Sequence, residues 1–467
     1  MRNRFEWRGR GLTMSGALPV SSGPTEQKES LRRLILQENR HFRELERIRS
    51  SLAFRLGTSI VRALKFPPKL LILPFTLLYI GFDWGLGRIG KKKFQPNGST
   101  HIASQGTSCV VMFPTNGVGF GHFTRLLSVA KRLKQKDPSL EIVFFTTMST
   151  MHLLKETGII GYRIPGRKEY SDQSSSSWNA VIEETLSLVF SLHRPSTFIF
   201  DGAFPYRGML NTIKERKNIE KIWVRRGTFK KKATSIPEDS LLHFDHIIRP
   251  QDSVRSDISK EVLYDLQVSH CQPIVLLDSE DLLSKHEVRS RLGIHKNHVV
   301  VYIQLGAGNI NDIHSTINKC ISILSTKKNI RIVIGESMIG TRIPVDGERI
   351  QVLRDYPNSM YFNGFDFGII AGGYNSYHEA IYHSFPCICI PNTKTGMDDQ
   401  TARAKVAEAS GAMLVIEDPS LQNLTNSIDK ILDPITRDRM IENMSSLKIE
   451  NGADQVAEYI IEQNSHQ

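Results

Sequence analysis

The sequence predicts an α/β protein: two doubly wound, Rossmann-like domains in tandem, facing each other across a cleft, with an extra helical segment in front of them. Three observations carry that expectation. Short, predominantly apolar runs recur at 109–113, 141–146, 299–305 and 330–334, as strands do when a parallel sheet is covered on both faces. The first run of each half leads directly into a glycine-rich turn, 116–121 and 306–309, the place where such sheets open onto a ligand. The chain of 467 residues is also long enough for two or three domains, and 40% apolar with 23% charged residues is an ordinary globular composition.

Residues 1–26 are rich in Gly, Ser, Arg and Pro and read as a disordered tail. From 27 to 98 the chain reads as a basic, amphipathic to apolar helical segment. Leu31, Ile35, Phe42, Leu45 and Leu52 recur at spacings of three, four or seven, which fits an amphipathic surface helix or a short coiled coil through which copies of the chain would pair. The apolar run 70–82 is interrupted by Pro74 and flanked by Lys65, Lys69, Tyr79, Trp84 and Lys91–Lys93. It falls short of the roughly 20 residues that cross a bilayer, so a helix lying in the interface or a shallow re-entrant hairpin is expected; a core helix of the main domain is the alternative. Residues 107–285 read as the first Rossmann-like domain and 286–467 as the second. The strands expected after the linker 94–106 are 109–113, 141–146, 198–200 and 221–224, then 299–305, 330–334, 367–370, 387–390 and 412–416. Helical spacing is expected at 122–133 and from about 434 to 463.

The net charge is +12, and the first hundred residues hold nineteen basic against seven acidic side chains, so the excess belongs to that segment and the remainder is balanced. This excludes a nucleic-acid binder with charge spread over a folded face. A basic stretch beside an apolar run points to an anionic membrane surface. No apolar stretch follows the early arginines, so no signal peptide is expected. The five cysteines are odd in number and lack a CxxC pair; they read as buried or free thiols in a reducing compartment, with no disulfide framework and no zinc site. Cys387 and Cys389 alternate and are expected on one side of a strand.

The most informative stretch is Ala371-Gly-Gly-Tyr-Asn-Ser-Tyr-His-Glu-Ala380, followed by Pro386, Pro391 and Asp398-Asp-Gln400. A glycine pair at the carboxyl end of a strand lets backbone approach a diphosphate closely. Asn375 and Ser376 would then sit at a helix N-terminus, a ready anion site, and Glu379, one turn further on, can accept both hydroxyls of a ribose. Asp399 and Gln400 suit sugar hydroxyls. Ser376 with Glu379 also has the spacing of a capping box, a purely structural device. In the first half, Gly117-Val-Gly-Phe-Gly-His122 with Arg125 one turn on is compatible with a dinucleotide fingerprint. Against that, no acidic residue ends the run 141–146, and His122 replaces the last glycine.

The series from Gly373 to Gln400 resembles the donor signature of the GT-B glycosyltransferases, both the plant and bacterial UDP-sugar transferases and the MurG-like family 28. That resemblance implies that Gly373, Asn375 and Ser376 hold phosphate, Glu379 the ribose, and Asp399 with Gln400 the sugar. The segment 361–365, starting with Tyr361, would hold the uracil. Ala371 stands where the plant-type motif has a phosphate-binding His, which moves the likeness toward family 28. Gly306, Gly308 and Asn309 resemble the loop that closes over the diphosphate, although a tight strand–helix turn accounts for them equally well. Gly119, Gly121 and Arg125 fall on the acceptor-side loop. His122 would be the base that takes the acceptor's proton, with Asp201 orienting it, contacting the acceptor or simply stabilising its turn. Arg225-Arg226 and Lys230–Lys232 would meet a phosphorylated acceptor or form a solvated loop.

The implied protein is a membrane-associated glycosyltransferase of the cytoplasmic face. It would move a sugar with inversion from a UDP-sugar to a lipid-linked or saccharide acceptor in polysaccharide or glycolipid assembly. No nucleic acid, cofactor or metal is expected; Asp398 and Asp399 are adjacent rather than alternating. A nucleotide-sugar 2-epimerase or hydrolase, and a non-catalytic anchoring partner of another transferase, are the alternatives.

Overall fold

The structure is a computed structural model. It describes residues 56, 60, 73–78 and 108–465, apart from 116–118, 155–156, 168–173, 215, 227–237, 255–265, 307–311, 338–342, 344, 346, 396–397 and 448–449. The tail 1–26, most of the segment 27–98, the linker, the first three residues of the turn at 116, Gly308 with Asn309, and Lys230–Lys232 therefore lie outside the described residues. Residues 1–104 and 105–467 are two compact units. In the first, 73–78 are helical, with Phe75 and Leu78 each 72% exposed. Among the described residues no helix is long and apolar enough to cross a membrane.

The second unit contains both expected domains. The first is a seven-stranded sheet: β1 Cys109–Pro114, β2 Glu141–Thr146, β3 Ile160–Arg163, β4 Thr197–Asp201, β5 Glu220–Val224, β6 His246–Pro250 and β7 Gln267–Cys271. Their order is β3-β2-β1-β4-β5-β6-β7, and every pairing is parallel. Side chains along β1 alternate between two cores. Val110 and Met112 point to the face covered by helix α1 (Gly121–Lys136), while Cys109, Val111 and Phe113 point to the face covered by α2 (Ser175–His193) and α3 (Arg207–Lys214). Helix α2 presents Trp178, Ile182, Leu186, Val189 and Phe190 to that core, a stripe of threes and fours.

The second domain repeats the plan. Strands β8 Val299–Gln304, β9 Ile330–Gly335, β10 Ile350–Leu353, β11 Phe367–Ala371, β12 Cys387–Ile390 and β13 Leu414–Val415 lie in the order β10-β9-β8-β11-β12-β13, again all parallel. Its helices are α4 Lys285–Arg291, α5 Ile313–Ser325, α6 Tyr374–Tyr382, α7 Gln400–Ala409, α8 Leu421–Leu432 and α9 Pro434–Ser445. Cys387 and Cys389 do face the same core, and all five cysteines are free and buried.

The structure adds β3, β6, β7 and β10 to the strands expected from sequence. Three of them are short and half-exposed, so they lack the continuous apolar run that marks a central strand. The fourth, β6, is buried but carries only two aliphatic residues between His246 and Arg249. The last helix, α10 (Gly452–Ser465), crosses back: Ala453, Val456, Ala457 and Ile460 complete the first domain's core beside α1. A boundary that leaves everything after 286 in the second domain does not describe this helix.

Candidate active site

In both sheets the strand order reverses between the first and fourth strands, β1 and β4 or β8 and β11. Open parallel sheets bind ligands in the crevice at that point. On the first side, the end of β1 is tied to the end of β4, because Thr115 donates from its backbone N–H and its hydroxyl to the Asp201 carbonyl (2.9 and 3.2 Å). This leaves the Asp201 side chain under the first turn of α1. His122 Nδ1 lies 2.7 Å from Asp201 Oδ1. Arg125 grips the same carboxylate with both arms of its fork, Nε to Oδ2 at 3.0 Å and Nη2 to Oδ1 at 2.6 Å. Asp201 is 1% and Arg125 2% exposed.

The charges assign the proton. Burial works against the ionised carboxylate, but Arg125 and then His122 outweigh it and hold Asp201 below its ordinary pKa. Nδ1 lies within reach of both Asp201 and Arg125 Nη2 (2.9 Å); in the tautomer whose Nδ1–H donates to the ionised Asp201, Nε2 is the proton-accepting position of the ring. The His122 pKa is lowered, first by burial and then by Arg125 and Arg226, with Asp201 opposing. The imidazole is therefore neutral at neutral pH, as a general base requires.

On the second side, β11 ends at Ala371 and α6 begins after Gly373, whose φ of −63° and ψ of 148° make it the N-cap. The capping-box reading of Ser376 with Glu379 is thereby corrected. Ser376 is the third residue of the helix, and neither side chain serves its start. The N-termini of α1 and α6 carry no side-chain cap. Ser174, Ser284, Asp312, Asp399, Ser420 and Asp433 each cap another helix. The two uncapped ends face each other, since a Cβ on Gly121 would lie 3.7 Å from Asn375 Oδ1. That oxygen is buried and makes no hydrogen bond.

Glu379 lies deeper along α6. Burial pushes its pKa up to about 7, against the pull of the Ser359 hydroxyl. Around it, on residues 1%, 9% and 3% exposed, Tyr302 OH is turned to Asn358 and the Ser359 hydroxyl to Glu379, but Tyr302 OH, Asn358 Oδ1 and Ser359 Oγ form no well-shaped hydrogen bond. Buried polar groups are nearly always bonded, so such a group needs an explanation. Asn358 and Ser359 were not singled out from sequence; the available cue was their place three and two residues before Tyr361. Tyr361 itself is a core residue. Its hydroxyl donates to Asp355 (2.7 Å) and its ring lies against Phe365.

The remaining expected residues have defined places. Asp399 Oδ1 accepts from Ala402 N–H (3.0 Å) and starts α7. Gln400 Oε1 accepts from Asn392 N–H (2.9 Å), and its Nε2 backs Gly373, 4.0 Å from where a Cβ would stand. Gly306 adopts φ +95°, which a side chain rarely tolerates. Gly119 has open space around it.

The two sides are joined beside the donor turn. Arg403 of α7, fully buried, binds Asp252 from the first domain through Nε and Nη2 (2.8 and 2.6 Å). It also reaches the Gly372 carbonyl (2.7 Å) and Asp398 (2.8 Å). Arg226 pairs with Asp398 at 3.3 Å. The guanidinium groups of Arg125, Arg226 and Arg403 stand 5.4, 5.3 and 5.7 Å from the Tyr374 ring, while Tyr374 OH donates to the Gln251 carbonyl (3.0 Å). The basic run 225–232 thus contributes Arg226 to this junction.

No protein-family model matches the chain, and no curated protein matches it. Solved structures do. A UDP-GlcNAc 2-epimerase from Neisseria meningitidis bound to UDP-GlcNAc is similar with a TM-score of 0.56 and 13% identity, over 77% of this chain and 100% of that one. A MurG from Acinetobacter baumannii is similar with a TM-score of 0.50 and 14% identity, over 76% and 99%. A glycotransferase of kitacinnamycin gives 0.53 and 13%, over 76% and 98%. The chain has the GT-B fold. At these identities the likeness establishes architecture alone, and function has to be argued from the site. In this chain the two switch points and the uncapped starts of α1 and α6 meet at one crevice, with the His122 turn opposite the Gly373 turn.

Proposed function

We propose that the protein is an inverting glycosyltransferase that uses a nucleotide-sugar, UDP-linked by resemblance, and a hydroxyl acceptor. The observation that carries the reading is the His122–Asp201 contact of 2.7 Å, opposite the uncapped start of α6. The acceptor oxygen attacks the anomeric carbon as its proton passes to His122 Nε2. The bond from that carbon to the diphosphate oxygen breaks, and the leaving charge falls on the backbone amides at Gly373–Asn375. Asp201 stabilises the imidazolium that forms, as the acid of a His-Asp pair does. Glu379 accepts from the ribose, with Asn358 and Ser359 completing the nucleoside pocket, and Gln400 and Asp399 Oδ2 lie toward the sugar. None of these steps calls for a metal.

The acceptor is lipid-linked and the enzyme works at the cytoplasmic face of a membrane. The basic first hundred residues and the exposed Phe75 and Leu78 support this. Label from a radioactive UDP-sugar should enter lipid when lipid extract is present. Free sugar or an epimer formed without acceptor would instead support the second reading, a 2-epimerase, which the Neisseria structure favours. Absence of any donor binding would leave an anchoring partner.

A further inference from the structure

The sequence shows no metal-ligand spacing, yet the fold assembles a ligand set that glycosyl transfer does not use. Cys109 opens β1 and Glu141 opens β2, and the two residues are direct partners in the parallel register. Both side chains fall under the last turn of α2, which ends at His193. The Cys109 sulfur, a Glu141 carboxylate oxygen and a His193 ring nitrogen all lie within 4.8 Å of one another. His193 Nδ1 contacts Glu141 Oε1, and His193 Nε2 lies 2.8 Å from Tyr162 OH. Cys109 is 2% and His193 8% exposed, whereas the Glu141 side chain is 29% exposed and gives an ion a way in.

We propose that Cys109, Glu141 and His193 form a structural site for a thiophilic divalent cation, zinc by ligand type. One thiolate, one imidazole and one carboxylate with a water in the fourth position is a set that zinc accepts. Tetrahedral zinc, with bonds of about 2.0–2.3 Å, needs its ligand atoms about 3.3–3.8 Å apart. On binding, the Glu141 and His193 side chains would have to part from their mutual contact, and the three atoms to settle from within 4.8 Å to that spacing. His193 then turns Nδ1 to the metal and donates Nε2–H to Tyr162, the outer hydrogen bond that ligating histidines require. The Cys109 thiol gives up its proton to solvent on binding. Burial and the neighbouring carboxylate otherwise keep that thiol protonated. The site sits at the amino ends of β1 and β2, about 16 Å along the strand from the cleft. The ion would pin two strands and a helix together and take no part in the chemistry.

The test uses the full chain, loaded with zinc or cobalt(II) and desalted. One metal per chain and a thiolate-to-cobalt charge-transfer band are expected. Excess zinc, about a hundredfold above Kd, should raise Tm by about 3 °C. Cys109→Ala should abolish the band and the shift; if that variant does not fold, Glu141→Gln should weaken binding at least tenfold. The proposal is overturned if the wild type retains no metal, or if Cys109→Ala or Glu141→Gln binds it as the wild type does. In either case the cluster is a closed thiol–carboxylate–imidazole–phenol hydrogen-bond chain.

Discussion

On the first side of the cleft, His122, Asp201 and Arg125 satisfy one another in the absence of any substrate. On the second side, around Glu379, the polar atoms of Tyr302, Asn358, Ser359 and Asn375 are buried without well-formed hydrogen bonds, and the carboxyl itself sits near pKa 7. Both sides come from the same supersecondary plan, a strand, a glycine turn and a helix with an uncapped start. They differ in what completes them. The base is held by its own protein in one protonation state before the acceptor arrives. The nucleoside pocket holds buried polar groups in poorly formed contacts with one another, which a donor's hydroxyls and amides would complete. Pre-organised chemistry and a receptor that needs its ligand thus face each other.

If the first side is the chemical one, His122→Ala should lower kcat by about 10²–10⁴-fold while leaving donor affinity within a factor of about two. Steady-state kinetics with a saturating nucleotide-sugar checks this, and an unchanged kcat removes His122 from the mechanism. With the donor saturating, the pH profile of kcat should rise with pH through the lowered His122 pKa and lie flat at neutrality. Asp201→Asn should both slow turnover and unfold more readily, because Arg125 keeps its buried charge without a counter-ion. A loss of about 3 kcal/mol is expected in urea titration, and a purely catalytic effect would contradict the shared role of Asp201.

If the second side is a receptor, its pH behaviour should be opposite in kind. The folded-state pKa of Glu379 lies above its ordinary value of 4.5, at about 7. Its contribution to stability is therefore complete below about pH 4.5 and is lost as pH rises through 7. By pH 8 the ligand-free protein should be weaker by roughly 3 kcal/mol than a Glu379→Gln variant. Nucleotide affinity should follow the reverse sense, falling up to tenfold per pH unit below 7 in the wild type and staying flat in Glu379→Gln. Calorimetric titration across pH 5.5–8 would expose a flat wild-type curve, which would place the ribose elsewhere.

The junction between the sides should give a smaller effect. Arg403→Lys loses the two-armed grip on Asp252. It should raise the donor KM about tenfold with kcat nearly unchanged, and scattering should report a more open chain; equal losses in both constants would make Arg403 part of the chemistry. Smallest of all, Asn358→Ala should weaken nucleotide binding about three- to tenfold without altering kcat, and a change in kcat alone would remove it from the nucleoside pocket.

The central strands were legible because burial on both faces demands an apolar run, as at 109–113 and 299–305. The glycine turns and His122 were legible because a tight approach after a strand has few solutions. The series from Gly373 to Gln400 disclosed the donor half for the same reason. The edge strands β3, β7 and β10 had no such signature, because one face is wet and the pattern fades into that of a loop.

What the tertiary structure alone decided are the contacts between residues distant along the chain. Asp201 reaches His122 across 79 positions, and Arg403 reaches Asp252 across 151. Ser376 loses its capping role because the backbone of Gly373, and not the spacing of Ser and Glu, sets where α6 begins. Helix α10 returns to the first domain, where its apolar stripe of Ala453, Val456 and Ile460 is buried. Cys109, Glu141 and His193 become neighbours only when β1 and β2 pair in register and α2 ends above them. Local composition specifies which strands and turns form. Which side chains share a carboxylate or a crevice depends on strand order, and that is set by how the sheets bury both faces.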